Sequence, residues 1–292
     1  MFVVAQLIGI YVANAYQPDI VPGTNQTIYN IPYGFEPPQD ISPQTTTFSI
    51  VIALAIAVSL MLLLMKLKAE TFLRLWFFVV VIIGLAIAIN AFLIDFQYSS
   101  WIALAIAIPL AILKIFKRDI IAHNFTEILI YPGIATVFIP LLNIWATVAL
   151  LLVISAYDMY AVWHAGFMQK MAKYQIEKVR VFSGFFVPYL NKKDRIALKK
   201  AKALQKKGKK VKGKKVAVNV AILGGGDVVF PIILAGVVLP IYGIFGSLII
   251  AAGASIALAL LFLRSEKGKA YPAMPFITAG CLVALGIVYL LL

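Results

Sequence analysis

The sequence predicts an all-α integral membrane protein with nine transmembrane helices. Three observations lead there. Of 292 residues, 62% are hydrophobic, and the mean hydropathy is +0.96. Soluble domains are about 45–50% apolar. The apolar residues form nine long runs, and every basic residue lies in the connections of one alternate set.

A membrane-crossing helix needs roughly 20 mostly apolar residues. Nine segments qualify, at approximately 1–16, 47–65, 72–94, 100–116, 120–141, 143–164, 216–239, 241–263 and 272–292. The first is short. It ends in Ala13-Asn14-Ala15, a plausible signal-peptidase site, but no basic residue precedes its apolar run, which argues for retention. The fifth holds Pro132 and Pro140, so it should be irregular or tilted.

Residues 17–46 carry Asp19, Glu36 and Asp40 but no Lys or Arg. The next connection holds Lys66, Lys68 and Arg74, and the one around Asp95 is without basic residues. Lys114, Lys117 and Arg118 follow, then an uncharged turn near Leu142. Residues 165–215 hold seventeen basic residues, the turn near Pro240 none, and the last connection Arg264, Lys267 and Lys269. These four basic connections contain all 26 Lys and Arg. By the positive-inside rule the amino terminus is cytoplasmic and, after nine spans, the carboxyl terminus lies outside. The expected location is the cell membrane.

This pattern divides the chain into a six-helix portion (1–164), a basic cytoplasmic loop (165–215) and a three-helix portion (216–292). The lysine block at 192–215 reads as a solvated, partly disordered linker near anionic headgroups. It lacks interleaved aromatic residues, so the net charge of +14 does not imply a nucleic-acid partner. The aromatic stretch 181–190 is expected at the membrane interface, or covering an opening between helices. Of the two Asn-x-Thr sites, Asn25 lies outside and is open to glycosylation, whereas Asn124 lies at the cytoplasmic or membrane side.

The single cysteine, Cys281, excludes an intramolecular disulfide and a cysteine metal site. His123 and His164 are far apart, and the chain has no HExxH. Neither metal nor cofactor is expected.

Among twelve acidic residues, only Asp158 and Asp227 lie well inside apolar segments. A charge at the bilayer centre costs at least about 2.5–3.5 kcal/mol, so two such residues require a joint reason. Asp158 stands six residues before His164, about 9 Å of helix from the cytoplasmic end of its segment. Asp227 stands about eleven residues into the seventh segment, entering from the same side. Consecutive helices tend to be neighbours, so the carboxylates are expected to face each other. Such a pair holds one proton between them. That state sets a base beside an acid, as in the aspartic proteases.

Gly224, Gly225 and Gly226 precede Asp227. Each glycine weakens a helix interior by about 1 kcal/mol, and each admits close approach of another backbone. An unwound helix at Asp227 is expected. Tyr271-Pro272-Ala273-Met274-Pro275 opens the last segment. Residues before proline avoid helical geometry, so this stretch should be extended, with free carbonyls, beside a wet cavity.

Tyr157-Asp158 resembles the YD motif, Gly224-Gly225-Gly226-Asp227 the GxGD motif, and Pro272-Ala273-Met274 the PAL motif of the presenilin/signal peptide peptidase family. Met stands for Leu in the last, a volume-conserving change. The chain resembles an archaeal-type member of these intramembrane aspartyl proteases. The resemblance implies a presenilin-like fold, Asp158 and Asp227 as catalytic aspartates, and Tyr157 and the three glycines as support. It implies that Pro272, Ala273 and Met274 position the substrate. The substrate would be a transmembrane helix of another protein, unwound locally and paired with backbone near the site. The inferred orientation is presenilin-like, which implies substrates with an external amino terminus. The enzyme would act alone or as a homo-oligomer.

A proton-coupled transporter or channel would also use buried carboxylates and a broken helix, although no two-half repeat is visible. A helix-binding scaffold leaves two buried acids without a purpose. A rhomboid-type serine protease lacks its GxSG here.

Overall fold

The structure, a computed structural model, describes residues 1–20, 27–35, 43–117, 119–165, 171, 174–179, 181–189, 219–265 and 271–292. Most of the basic loop, including the lysine block, and the Asn25 site lie outside them.

The helices are α1 (Phe2–Ala15), α2 (Pro43–Lys66), α3 (Glu70–Phe92), α4 (Ser99–Phe116), α5 (Ile120–Phe138), α6 (Ile144–Tyr160), α7 (Gly225–Arg264) and α8 (Met274–Leu291). Seven of them, all but α1, are long and apolar enough to cross a membrane. At 14 residues, α1 falls short of the usual span. The seventh and eighth apolar segments share α7. Its 40 residues are interrupted at Gly243, where φ is +66° and ψ −171°. Only glycine takes that conformation at low cost. The chain reverses there, since Ser247 Oγ donates to the Ala235 carbonyl at 2.7 Å. Twelve residues of straight helix would separate the two by about 18 Å. α7 is therefore a helical hairpin with two arms.

The first arm is the centre of the bundle. Every residue from Pro231 to Leu239 is buried, as expected for a helix that is apolar all round. α7 packs on α1, α5, α6 and α8, and α3 bridges α4 and α5. Ile232, Ile233, Leu234, Leu150, Leu151 and Ile277 form the core. Trp145, Phe245 and Leu263 are exposed on the outside, as suits lipid contact. Polar side chains cross-link helices within the bundle. Gln6 Nε2 donates to the Val228 carbonyl at 3.0 Å, and Ser155 Oγ lies 2.7 Å from Thr278 Oγ1. Pro132 sits inside a continuous α5, and Pro140 falls in the short 3-10 turn that follows it. The expected irregularity is thus confined to the helix end.

The all-α expectation needs correction. A short pair, β1 (Asp19–Ile20) with β2 (Thr27–Ile28), joins α1 to α2. A longer antiparallel hairpin, β3 (Gly184–Tyr189) with β4 (Asn219–Gly224), precedes α7. β4 occupies residues that the apolar run assigned to the seventh helix, and β3 the aromatic stretch expected at the interface. Apolar runs of this length suit a strand or a helix equally. The pairing partner, some thirty residues away, decides. Pro188 fits because its place in the ladder turns its missing N–H away from β4.

Candidate active site

Asp158 lies near the carboxyl end of α6 and is 5% exposed. Its Oδ2 accepts the Met274 N–H at 3.1 Å, and the Ala273 N–H also bonds to the carboxylate. Met274 is the first residue of α8, with Pro275 next and Ala273 as its cap. The first N–H groups of a helix have no partner inside it, and a proline there forfeits nothing. So the expected extended stretch with free carbonyls is in fact a helix start. Ala273 is already helical, at φ −85° and ψ −34°. Donors, not acceptors, face the carboxylate, and the helix dipole favours an anion at that place.

Asp227 has an equivalent setting at the start of α7. Gly224 is the amino-terminal cap, and Asp227 the third helical residue. Its carboxylate reaches back to the Gly224 N–H, the return bond of a capping box. The glycines therefore do not unwind a helix already under way. They are the joint between β4 and α7, with Gly224 extended at φ −62° and ψ 147°. Asp227 is accordingly one turn, not eleven residues, into its helix. Gly225 meets a steric demand, because a Cβ there would lie 2.8 Å from both Ser183 Oγ and Tyr131 Cε1. Gly226 is freer, its nearest neighbour being Phe230 at 3.5 Å.

Asp158 is close enough to Asp227 for the two charges to interact. α6, α7 and α8 are in mutual contact, so Tyr157, Gly224, Gly225, Gly226, Pro272, Ala273 and Met274 all belong to this neighbourhood. Tyr157 also borders an apolar cavity of about 270 Å³ between α2 and α6, with Val51, Ala55 and Val58 opposite.

Several residues here escaped the sequence reading. Tyr131 on α5 is 1% exposed and stacks edge-on against Phe185 at 5.3 Å. Glu127 is fully buried and ion-paired with Lys114 of α4, itself 8% exposed. His123 lies beside both, and Asn124 is 4% exposed. In the sequence Glu127 stands near the start of its apolar segment and Lys114 at a basic connection. The available signal was a cluster of His123, Asn124, Thr126 and Glu127 in the first two turns of an apolar span. Among the described residues no group of three or more His, Cys, Asp or Glu converges on a metal-sized site. Cys281 is buried in α8.

The hairpin edges differ. Asn124 Nδ2 donates to the Phe186 carbonyl at 2.8 Å, and the Phe186 N–H donates to Asn124 Oδ1 at 2.9 Å. His123 Nε2 lies 2.9 Å from the Gly184 carbonyl. The outer edge of β3 is thus covered by α5. Ile222 opposes Phe186, so its N–H and carbonyl also point away from the ladder, on the outer side of β4. Among the described residues none bonds them.

A family model described as signal-peptide peptidase, presenilin aspartyl protease matches residues 2–291. No curated protein matches the chain significantly. Solved structures share its fold, and two of them are presenilin-family proteins. One is described as a presenilin family intramembrane aspartate protease in space group C222, with TM-score 0.62 and 17% identity, covering 100% of this chain and 97% of that one. The other, described alike in space group P2, has TM-score 0.60 and 16% identity, covering 100% and 96%. Nothing in these matches supports a transporter. With nearly its whole length matched, the chain belongs to the signal-peptide peptidase, presenilin aspartyl protease family and is a membrane-embedded protease acting on transmembrane substrates.

Proposed function

We propose that Asp158 and Asp227 are the catalytic pair of this intramembrane protease. The observation that carries the reading is their common setting. Two carboxylates on different helices interact with each other, and each is held by N–H groups at a helix start. With one proton between them, the ionised carboxylate takes a proton from water as its oxygen adds to the peptide carbonyl carbon. The protonated partner gives its proton to the carbonyl oxygen. Return of a proton to the amide nitrogen lets the C–N bond break, giving an acid and an amine.

The edge of β4, unbonded among the described residues, runs directly into Gly224 and Asp227, which supports it as the rest for an unwound substrate strand. There Ile222 offers an N–H and a carbonyl, the β-augmentation mode of peptide recognition. Tyr157 and the three glycines shape the site. Ala273 and Met274 hold Asp158 through their N–H groups, Pro272 leads the chain into that helix start, and together the three residues place the substrate. The two arms of α7 and the short α1 support nine crossings in all. The charge distribution supports a cytoplasmic amino terminus, an external carboxyl terminus and residence in the cell membrane. It also supports a division at the basic loop 165–215, with no role for nucleic acid. The chain acts alone or as a homo-oligomer.

The test is direct. Purified Asp158→Asn and Asp227→Asn variants are incubated with a single-span peptide. Loss of cleavage in both supports the pair, and residual wild-type cleavage in either one overturns it.

A further inference from the structure

Asn124 makes the paired bonds that a neighbouring β-strand would make, yet it is a side chain on a helix. Its amide oxygen takes the Phe186 N–H at 2.9 Å, and its amide nitrogen serves the Phe186 carbonyl at 2.8 Å. The preceding residue, His123, closes the Gly184 carbonyl at 2.9 Å. A carbonyl only accepts, so Nε2 carries the hydrogen. Lys114 Nζ lies 3.5 Å from Nδ1 and donates to it. Lys114 is in turn fixed by buried Glu127. The imidazole ring is therefore oriented from both sides, and the rings of His123 and Phe186 pack at 4.7 Å. α5 grips β3 at alternate residues, 184 and 186, which are the positions facing away from β4.

The geometry points to Asn124, assisted by His123, as a positioning residue that fixes which peptide bond is cut. This inference rests on the reading of β4 as the substrate's rest and of Asp158 and Asp227 as the catalytic pair. β4 is joined covalently to Asp227 through Gly224, Gly225 and Gly226. Its other support is β3, whose Phe185 packs on Tyr131 and whose outer backbone edge is fixed by the Asn124 amide and His123. Releasing that edge frees the substrate strand to ride with the hairpin relative to Asp158, so that successive peptide bonds take turns at the site. The grip also occupies the outer edge of β3, so that among the described residues the outer edge of β4 is the one left for a third strand. Because the Asn124 amide is committed to Phe186 and buried, it is not available to a glycan despite its Asn-x-Thr context.

The test uses the full chain in lipid vesicles, a single-span peptide, and mass spectrometry of both fragments. In Asn124→Ala the cut is expected to spread from the wild-type bond to neighbouring bonds. Asn124→Asp keeps the side-chain volume and one acceptor, but sets an oxygen against the Phe186 carbonyl, and should spread the cut in the same way. Hydrogen exchange at 184–189 gives a reading that needs no catalysis. At Phe186 it should rise about tenfold or more in Asn124→Ala, which removes the acceptor of that N–H. A variant that is merely less stable loses rate but keeps the wild-type fragments. If both variants cut the same bonds in the same proportions, or if exchange at Phe186 is unchanged in Asn124→Ala, the positioning role is wrong. Parallel Asp158→Asn and Asp227→Asn samples separate the two ideas, because cleavage surviving in either sinks the catalytic reading instead.

Discussion

The Asp158 carboxylate accepts the Met274 N–H at 3.1 Å, a bond between α6 and the first residue of α8 across 116 positions of sequence. It ties the Pro-Ala-Met stretch to the chemistry through the backbone rather than through a side chain. Met274→Leu should therefore cleave the test peptide at close to the wild-type rate. Met274→Pro removes the N–H and also drives Ala273 from helical geometry. A hydrogen bond to a charged group contributes about 1.5–3 kcal/mol, so cleavage should fall roughly tenfold to hundredfold or more, read as kcat/KM.

The three glycines before Asp227 should not be equivalent. Gly225→Ala forces a methyl against Tyr131 and Ser183 at 2.8 Å, an overpacking that typically costs about 1–3 kcal/mol. Activity should drop about tenfold or further. Gly226→Ala meets only ordinary contact with Phe230 and should stay within about threefold of wild type, given that surface changes are near neutral. Equal loss in the two would show that flexibility, not space, is what the run supplies.

Lys114 and Glu127 offer a stability test away from the two aspartates. Both are buried and paired. Lys114→Met alone leaves an uncompensated buried carboxylate and should destabilise by about 3–5 kcal/mol. Adding Glu127→Leu should recover most of that loss, because an apolar pair of similar size often replaces a buried ion pair without penalty. Thermal unfolding in detergent of the two single variants and the double variant measures the coupling.

A carboxylate pair sharing one proton loses its acid when both are ionised and its base when both are protonated. The rate of cleavage should therefore pass through a maximum with pH, falling on either side. Asp158→Asn and Asp227→Asn should be inactive across the whole range rather than shifted. A single sigmoid in the wild type would argue for one titrating group.

The membrane character and most of the helices were legible in the sequence, because both follow from local properties. Apolar runs of span length and the segregation of Lys and Arg do not depend on what packs where. The isolated carboxylates Asp158 and Asp227 were legible for a related reason, since an acid in an apolar run is conspicuous without any knowledge of its partner. What stayed hidden depended on distant pairing. Residues 219–224 are as apolar as a helix needs, and only β3 makes them a strand. The Gly224–Gly226 run reads as a broken helix until the strand before it is known, and then becomes a joint. Met274 reads as extended until its N–H is seen to have Asp158 as a partner. Lys114 and Glu127 look like boundary charges because the sequence does not show that α4 and α5 bring them together in the interior. Composition and periodicity set which segments leave water. Tertiary contact alone decided which backbone donors and side-chain amides met the buried acids and the hairpin, because an unpaired polar group in such surroundings must find its partner wherever the fold supplies one.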